Sequence, residues 1–405
     1  MSARLLTPAE VLTACDPGAR DDAETQRRWR ELSARAQVPN VFLTPELLLP
    51  ALRHLARDRV GLAVVSRGGR WRLLVPLQLR TRPWHHPVRG ATTWEHEQAF
   101  LGTPLISPDA EEEDWAELFG LVATAGDRWL VMRQVDTGVA EQVLAVADRL
   151  GQDGVVVRRT DRGLSSARDG ERLHVDLSSK RRRELRRQRR RLDAKVGTQL
   201  VVEDLARRRP GEDTDARRAR VRADLAHFLA LERAGWKGED GGAMAVRPPE
   251  AAFFVEACLA ALDRGVLHLP ALHDGSRPVA VAALVRDRDV VSWWKTTYDE
   301  AYAEFSPGWL VAVESFALLE DGVRVLDSCT DADSRLGTSL TSGRRELVTL
   351  AVSTRGSLGR SVVRRLPRWL AARARTAHAL GEAAARVRRA PAGIRPSRPD
   401  STTPV

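Results

Sequence analysis

Between Val291 and Trp309 the chain reads VSWWKTTYDEAYAEFSPGW, and this stretch limits the folds open to everything around it. It holds both tyrosines of the 405 residues, Tyr298 and Tyr302, and three of the eleven tryptophans. Upstream lies an apolar run, Val279–Val285, separated from it by the turn sequence Asp287-Arg-Asp289. Downstream, Ser306-Pro-Gly308 has the capping serine and first-turn proline of a helix start. The expected order is strand, turn, strand, polar loop, helix. That order sets polar side chains at the end of a sheet, where a substrate can sit.

The same signals repeat along the chain. Residues 1 to about 40 read as helix with charged faces. A helix at 45–57 precedes a hairpin of 60–66 and 71–80 across Arg67-Gly-Gly69. Helix 109–125, with acids in its first turn, then strand 128–133, helix 137–150 and strand 154–158 complete a first α/β unit. Residues 161–172 read as a linker. The second unit reads as strand 173–177, a helix from Lys180, strand 200–203, helix 216–234, a turn at 235–238, helix 250–264 and strand 266–272. The central hairpin, helix 307–319 and strands 322–327 and 345–352 follow. The expected domains are 1–165, 173–352 and a tail, 353–405, that is helical from Ser361 to Arg389 and disordered beyond.

Charge is informative through its placement. The formal net charge is +10, yet residues 353–405 alone carry twelve Arg, no Lys and two acids. The rest of the chain is balanced, so the basic character belongs to the tail and no DNA partner is expected. One internal run departs from this balance. Lys180–Lys195 has ten cations and two acids, with Leu185, Leu192 and Val196 as a narrow apolar seam. Four cations in the first turn of a helix oppose its dipole. They suit an anionic partner or a solvated face, and the lack of aromatics weakens a single-strand nucleic-acid reading.

Three scattered cysteines make neither a disulfide framework nor a zinc site. His85, His86, His96 and Glu97 match no metal-ligand spacing, so no metal is expected; a surface loop or a pocket rim are the readings. The N-terminal sequence lacks the apolar core of a secretory signal, and no run approaches the roughly 18 apolar residues of a membrane span. A cytoplasmic protein is expected. Trp369 and the leucines among the tail arginines allow that helix to lie on an anionic membrane at the inner face, or to pack on the body.

The strings LSSKRRRELRR from Leu177, FLALERAGWKG from Phe228 and WKTTYDEAY from Trp294, with Ser306-Pro-Gly308 and Asp327-Ser-Cys329, resemble the CelD/FemAB-like branch of the GNAT acyltransferases, whose members include BioF-like acetyltransferases. The likeness covers roughly 173–350; the first unit matches in layout and in Asn40–Pro45. The resemblance implies two tandem GNAT-like domains with mixed sheets flanked by helices, and a cleft centred on the second. It implies acyl transfer, chiefly of acetyl, from a thioester carrier such as acetyl-CoA or a longer acyl-CoA. The acceptor would be an amine: a small molecule, or a glycan or envelope precursor. Two alternatives stay open, a FemAB-like transferase using aminoacyl-tRNA and a non-catalytic protein that docks an anionic polymer or membrane.

Acyl transfer from a thioester needs a neutral amine, donors for the tetrahedral oxyanion and a proton for the leaving thiolate. Tyr298, Asp299, Lys295 and Tyr302 are the catalytic candidates; Tyr298 could equally be a packed strand-end aromatic and Asp299 a turn cap. Ser306, Pro307 and Gly308, with Lys180 and Arg181, are candidates for the carrier phosphates. Trp236, Lys237, Trp294 and Asp327 are candidates for substrate contact. The family's Arg/Gln-x-x-Gly-x-Gly/Ala loop is replaced here by Glu304-Phe-Ser-Pro-Gly308, which offers fewer free N–H groups.

Overall fold

Among the described residues of the computed structural model, short apolar runs punctuated by turn residues form fourteen strands, and all of them join one mixed sheet. The structure describes residues 2–15, 22–57, 59–168, 171–175, 177–235, 241–275, 277–331 and 340–389. The first half runs β1 (Ser2–Leu6), α1 (Pro8–Ala14), α2 (Asp22–Arg35), α3 (Pro45–His54), β2 (Val60–Arg67), β3 (Arg70–Thr81), β4 (Gly90–Thr93) and β5 (Leu105–Ile106). It continues with α4 (Glu112–Thr124), β6 (Trp129–Asp136), α5 (Thr137–Arg149) and β7 (Gly154–Ser166). The second half runs α6 (Ser179–Val196), β8 (Val201–Asp204), α7 (Thr214–Ala234), α8 (Pro248–Asp263), β9 (Leu267–His268), β10 (Pro270–His273), β11 (Pro278–Asp287) and β12 (Val290–Tyr298). It ends with α9 (Pro307–Glu314), β13 (Val325–Asp331), β14 (Gly343–Ser353) and α10 (Gly356–Arg389).

The strand order is β1-β2-β3-β4-β6-β14-β7-β13-β12-β11-β10-β8, with β5 on β3 and β9 on β11. Each half is an antiparallel run ending in one parallel pair, β4 with β6 and β12 with β13. A parallel pair needs a crossover, and α4 and α9 lie in those two connections. The fold is therefore α/β, two similarly built halves with helices on both faces of a mixed sheet. The last strand does not stay with its own half. β14 inserts between β6 and β7, and β7 in turn lies against β13. Covered on both faces, β14 needs the apolar sequence Leu347–Val352, in which Leu350, Ala351 and Val352 are fully buried.

Three expectations are corrected. The first residues form β1 rather than helix, because Ala3 and Leu5 alternate toward the core beside α4 while the backbone pairs with β2. Residues 161–166, read as linker, continue β7; Asp161 faces solvent, Arg162 is buried, and the backbone bonds to β14 and β13. Residues 173–175 form no strand; Leu173 is buried in the cluster around Phe316, so its apolar character serves packing.

α10 begins on the body. Val362, Val363 and Leu366 are buried against Trp129, Val131 and Ala351. His86, one of the loop histidines, is a buried aromatic wedge with its ring 5.4 Å from Trp129 and 4.9 Å from Trp369. Burial lowers its pKa, as suits a neutral ring in this packing role. No helix among the described residues is long and apolar enough to cross a membrane.

Candidate active site at the second parallel pair

The β11–β12 hairpin pairs Ala283 with Lys295 and Leu284 with Trp293, so Trp294 is the extra residue of a β-bulge. The bulge sends Trp294 into the core, 3% exposed. Its indole N–H donates to the Gln98 carbonyl of the first half at 2.9 Å, and its ring meets Phe253 and Phe254. Lys295 holds its ammonium 5.8 Å from the Phe100 ring centroid, also in the first half.

β12 stays paired with β13 only from Val290 to Ser292, opposite Val325 to Asp327. It then runs on to Tyr298, so the two strands part just before the bulge. At the far end of the opening, Tyr298 lies over the start of α9. A Cβ on Gly308 would come 3.2 Å from the tyrosine ring, which is why this position takes glycine. Burial, then the charge of Glu300 and a hydrogen bond to it, raise the Tyr298 pKa. The phenol therefore keeps its proton throughout the neutral range.

Asp299 accepts from the Ala301 N–H at 3.0 Å and pairs with Arg277 at 3.1 Å, capping a 3-10 turn, Glu300–Phe305. Tyr302 lies in that turn, partly buried against the cluster of Leu310 and Val311. Ser306 adopts φ 55°, ψ 50°, a left-handed conformation rare outside glycine, and so redirects the chain into α9. Pro307 has no N–H, and the N–H of Trp309 is spent on the Ser306 carbonyl at 2.9 Å. Gly308, at the second helical position, supplies the first-turn donor that a helix leaves without an internal acceptor.

α6 flanks this start. Ser178 caps it by accepting from the Arg181 N–H at 3.2 Å, and Leu185, Gln188 and Leu192 form its buried seam. The Arg181 guanidinium lies 4.6 Å from the Trp309 ring, and that of Arg191 lies 5.2 Å from Phe305. Lys180 is exposed one residue before Arg181. The structure thus brings Tyr298, Gly308 and Arg181 to one place, with Lys295 at the bulge. Trp236 and Lys237 lie outside the described residues.

Asp327 is 3% exposed, at the point where the parallel pair ends. It accepts from the Cys329 N–H at 2.9 Å, and its carboxylate is 3.7 Å from Arg162 of β7 and 3.5 Å from Arg345 of β14. Arg345 also pairs with Asp136 at 3.0 Å. Two strands exchanged between the halves therefore neutralise one buried acid. Sequence reasoning missed Arg162 and Arg345, which carry no local signal. Beside them Cys329 sits at φ 53°, with its thiol bonded to Ser292 and pushed up well above the usual range by burial and by Asp327.

The first parallel pair is closed by its own chain. β4 pairs with β6 only at Ala91 and Thr92. Beyond them the Gly102 N–H donates to the Gln134 carbonyl at 3.1 Å, and the Asp136 N–H donates to Thr103 at 2.9 Å. A Cβ at Gly102 would lie 2.1 Å from the Arg133 carbonyl oxygen, so only glycine fits there. Residues 102–103 thus take the β6 edge that a ligand would otherwise meet.

A family model described as Acetyltransferase (GNAT) domain matches residues 179–334, from α6 past the end of β13. A comparison with curated protein sequences finds no match. Among solved structures, the chain is similar to the C-terminal domain of an Agrobacterium fabrum protein described as a lysylphosphatidylglycerol synthetase, with TM-score 0.51 and 13% identity over 84% of this chain and 95% of that one. A conserved Bacteroides thetaiotaomicron protein of unknown function gives TM-score 0.51 and 11% identity, covering 81% and 96%. A tandem GNAT protein from the clavulanic acid biosynthesis pathway gives TM-score 0.43 and 15% identity, covering 88% and 99%. At these identities the first two likenesses are of fold alone. The match over 179–334 spans the bulged strand, the crossover helix and the parting parallel pair, so this region of the chain is similar to a GNAT acetyltransferase domain.

Proposed function

We propose that this protein moves an acyl group, chiefly acetyl, from acyl-CoA to an amine acceptor, at the opening between β12 and β13. The observation that carries the reading is the conjunction of three features there: the bulge at Trp294, the end of pairing after Ser292 and Asp327, and the start of α9 at the mouth. A bulge interrupts the ladder and leaves backbone donors that can face a developing oxyanion. The amine attacks the thioester carbonyl as a C–N bond forms, and its proton is proposed to pass to Asp299 or Glu300; the C–S bond then breaks and the thiolate needs a proton. Tyr298 is the proposed donor of that proton, since its raised pKa keeps it protonated. Lys295 is proposed to line the opening from the bulge. Asp299 and Tyr302 support the loop that carries Tyr298. Carrier phosphate is proposed to meet the Gly308 N–H and, from α6, Lys180 and Arg181. Asp327, neutralised by Arg162 and Arg345, is proposed to hold the strand end at which the acceptor sits. Trp294 anchors the bulge from the core side.

The acceptor is proposed to be a small-molecule, glycan or envelope-precursor amine, modified in the cytoplasm or at the inner face of the membrane. The domains are proposed to be 1–165, 173–352 and the tail. A second reading has one observation in its favour. The start of α9 offers a shorter N–H cradle than the family loop, and a strongly cationic helix lies beside it. Aminoacyl-tRNA is the donor in that reading. Acyl-CoA titration decides between them. Acetyl-CoA or a longer acyl-CoA is expected to raise the melting temperature. No rise with any of them rejects CoA, and RNA that co-purifies and dissociates steeply with salt supports the tRNA donor.

A further inference from the structure

A second cavity, of about 450 Å³, opens on the sheet face shared by β6, β14 and β7. Its lining joins a polar set, Glu95, Arg133, Gln134 and Arg162, to an apolar set, Trp84, Val157, Leu347 and Leu370, with Arg158 among the other lining residues. The polar end is buried and its hydrogen bonding is unfinished. Arg162 is 5% exposed. One terminal nitrogen donates to the Gln134 Oε1 at 2.7 Å. Its Nε and Nη1, the Nε of Arg133 and the Oε1 of Glu95 are all shielded from solvent, with no hydrogen-bond partner among the described residues. Buried guanidinium and carboxyl atoms are nearly always satisfied in folded proteins, so a wall with open donors beside an open acceptor is arranged for a guest.

The charge balance selects the guest. Arg158, which also lines the cavity, is exposed and solvated; within the buried set Arg162 and Arg345 are offset by Asp327 and Asp136, and Arg133 is offset by Glu95. A simple anion or a simple cation would unbalance this set, whereas a zwitterion would not. Gln134 at φ 46° holds the β6 edge in the left-handed region, where Gly102 locks it, so the polar end is preset. The wall of Trp84, Val157, Leu347 and Leu370 then suits an apolar side chain.

We infer that this cavity is a binding site for an apolar α-amino acid, its carboxylate on the open N–H groups of Arg162 and Arg133 and its ammonium on Glu95. The inference does not rest on the acyl-transfer reading, and its test uses no acyl donor. Calorimetric titration of the full chain with L-leucine, L-phenylalanine, 3-phenylpropionate and phenethylamine is the experiment. At least one of the two amino acids is expected to bind. For L-phenylalanine, removing either the amine or the carboxylate is expected to weaken binding about tenfold or more. Arg162→Gln is expected to cost about tenfold or more in amino-acid affinity, and Glu95→Gln to abolish the preference for L-phenylalanine over 3-phenylpropionate. Arg133 is less deeply buried, so Arg133→Gln tests the site where Arg162→Gln fails to fold. Absence of binding by both amino acids, or unchanged affinity in Arg133→Gln, overturns the assignment.

Discussion

Replacing Glu95 by glutamine is expected to change the pH dependence of stability in a defined direction. Burial pushes the Glu95 carboxyl from its ordinary 4.5 up to about 7, against the pull of Arg133 and Arg162. A carboxyl raised in this way binds a proton more tightly in the folded chain than in the unfolded one. Its contribution is therefore fully present below 4.5 and is lost as pH rises through 7. At about 1.36 kcal/mol per decade of proton affinity, the span from 4.5 to about 7 amounts to about 3.4 kcal/mol, and residual solvent contact of the carboxyl reduces it to about 2 kcal/mol. Glutamine keeps the shape and removes the titration. Urea unfolding of wild type and Glu95→Gln at intervals between pH 4 and pH 8.5 is the assay, with reversibility checked at each pH. The variant is expected to gain about 2 kcal/mol on wild type across that range, most of it between pH 4.5 and pH 7. A difference flat with pH, or one in which wild type gains as pH rises, refutes the reasoning and gives the arginines control of this carboxyl.

Three further perturbations test the site and the fold. Tyr298→Phe is expected to lower kcat by about 10²-fold or more with little change in melting temperature; unchanged turnover removes the phenol from the chemistry. Gly308→Val drives a side chain into the Tyr298 ring, 3.2 Å from the position of its Cβ, and is expected to raise KM for the acyl donor about tenfold or more. An unchanged KM separates the start of α9 from carrier binding. Gly359→Ala would set a Cβ 2.2 Å from the Arg128 carbonyl oxygen, where backbone has to move, and is expected to cost about 2–4 kcal/mol in urea unfolding. A cost below about 0.5 kcal/mol means that α10 does not depend on that contact.

Much of the second half was legible in sequence because its signals are local. The hairpin of β11 and β12 follows from two apolar runs and a turn, and α9 from Pro307; Ser306, read as a capping serine, makes no side-chain cap bond and turns the chain through its left-handed backbone instead. Asp299 was legible as either an acceptor of the amine proton or a turn cap; its bonds to the Ala301 N–H and Arg277 are those of a cap, and its part in the chemistry stays with the proposal. Trp293 and Trp294 are both buried, in two different core clusters, and nothing local in the sequence tells which of them meets the first half. β1 was misread because a five-residue strand with no turn signal before it has too little pattern to compete with the helical periodicity of α1 and α2.

What the sequence determined by itself is the set of elements and one junction: strand, polar loop and helix from Val291 to Trp309, with Tyr298 close to Gly308. Those contacts span about ten residues, within the reach of local geometry. The tertiary structure alone decided the exchange of β14 and β7 across the halves and the closing of the first parallel pair by Gly102 and Thr103. It alone also gathered Glu95, Arg133 and Arg162, and paired Asp327 with Arg162 and Arg345. These residues are separated by tens to hundreds of positions, and strand order in a sheet is chosen by burial over the whole domain. No residue type or spacing near any one of them records its partners.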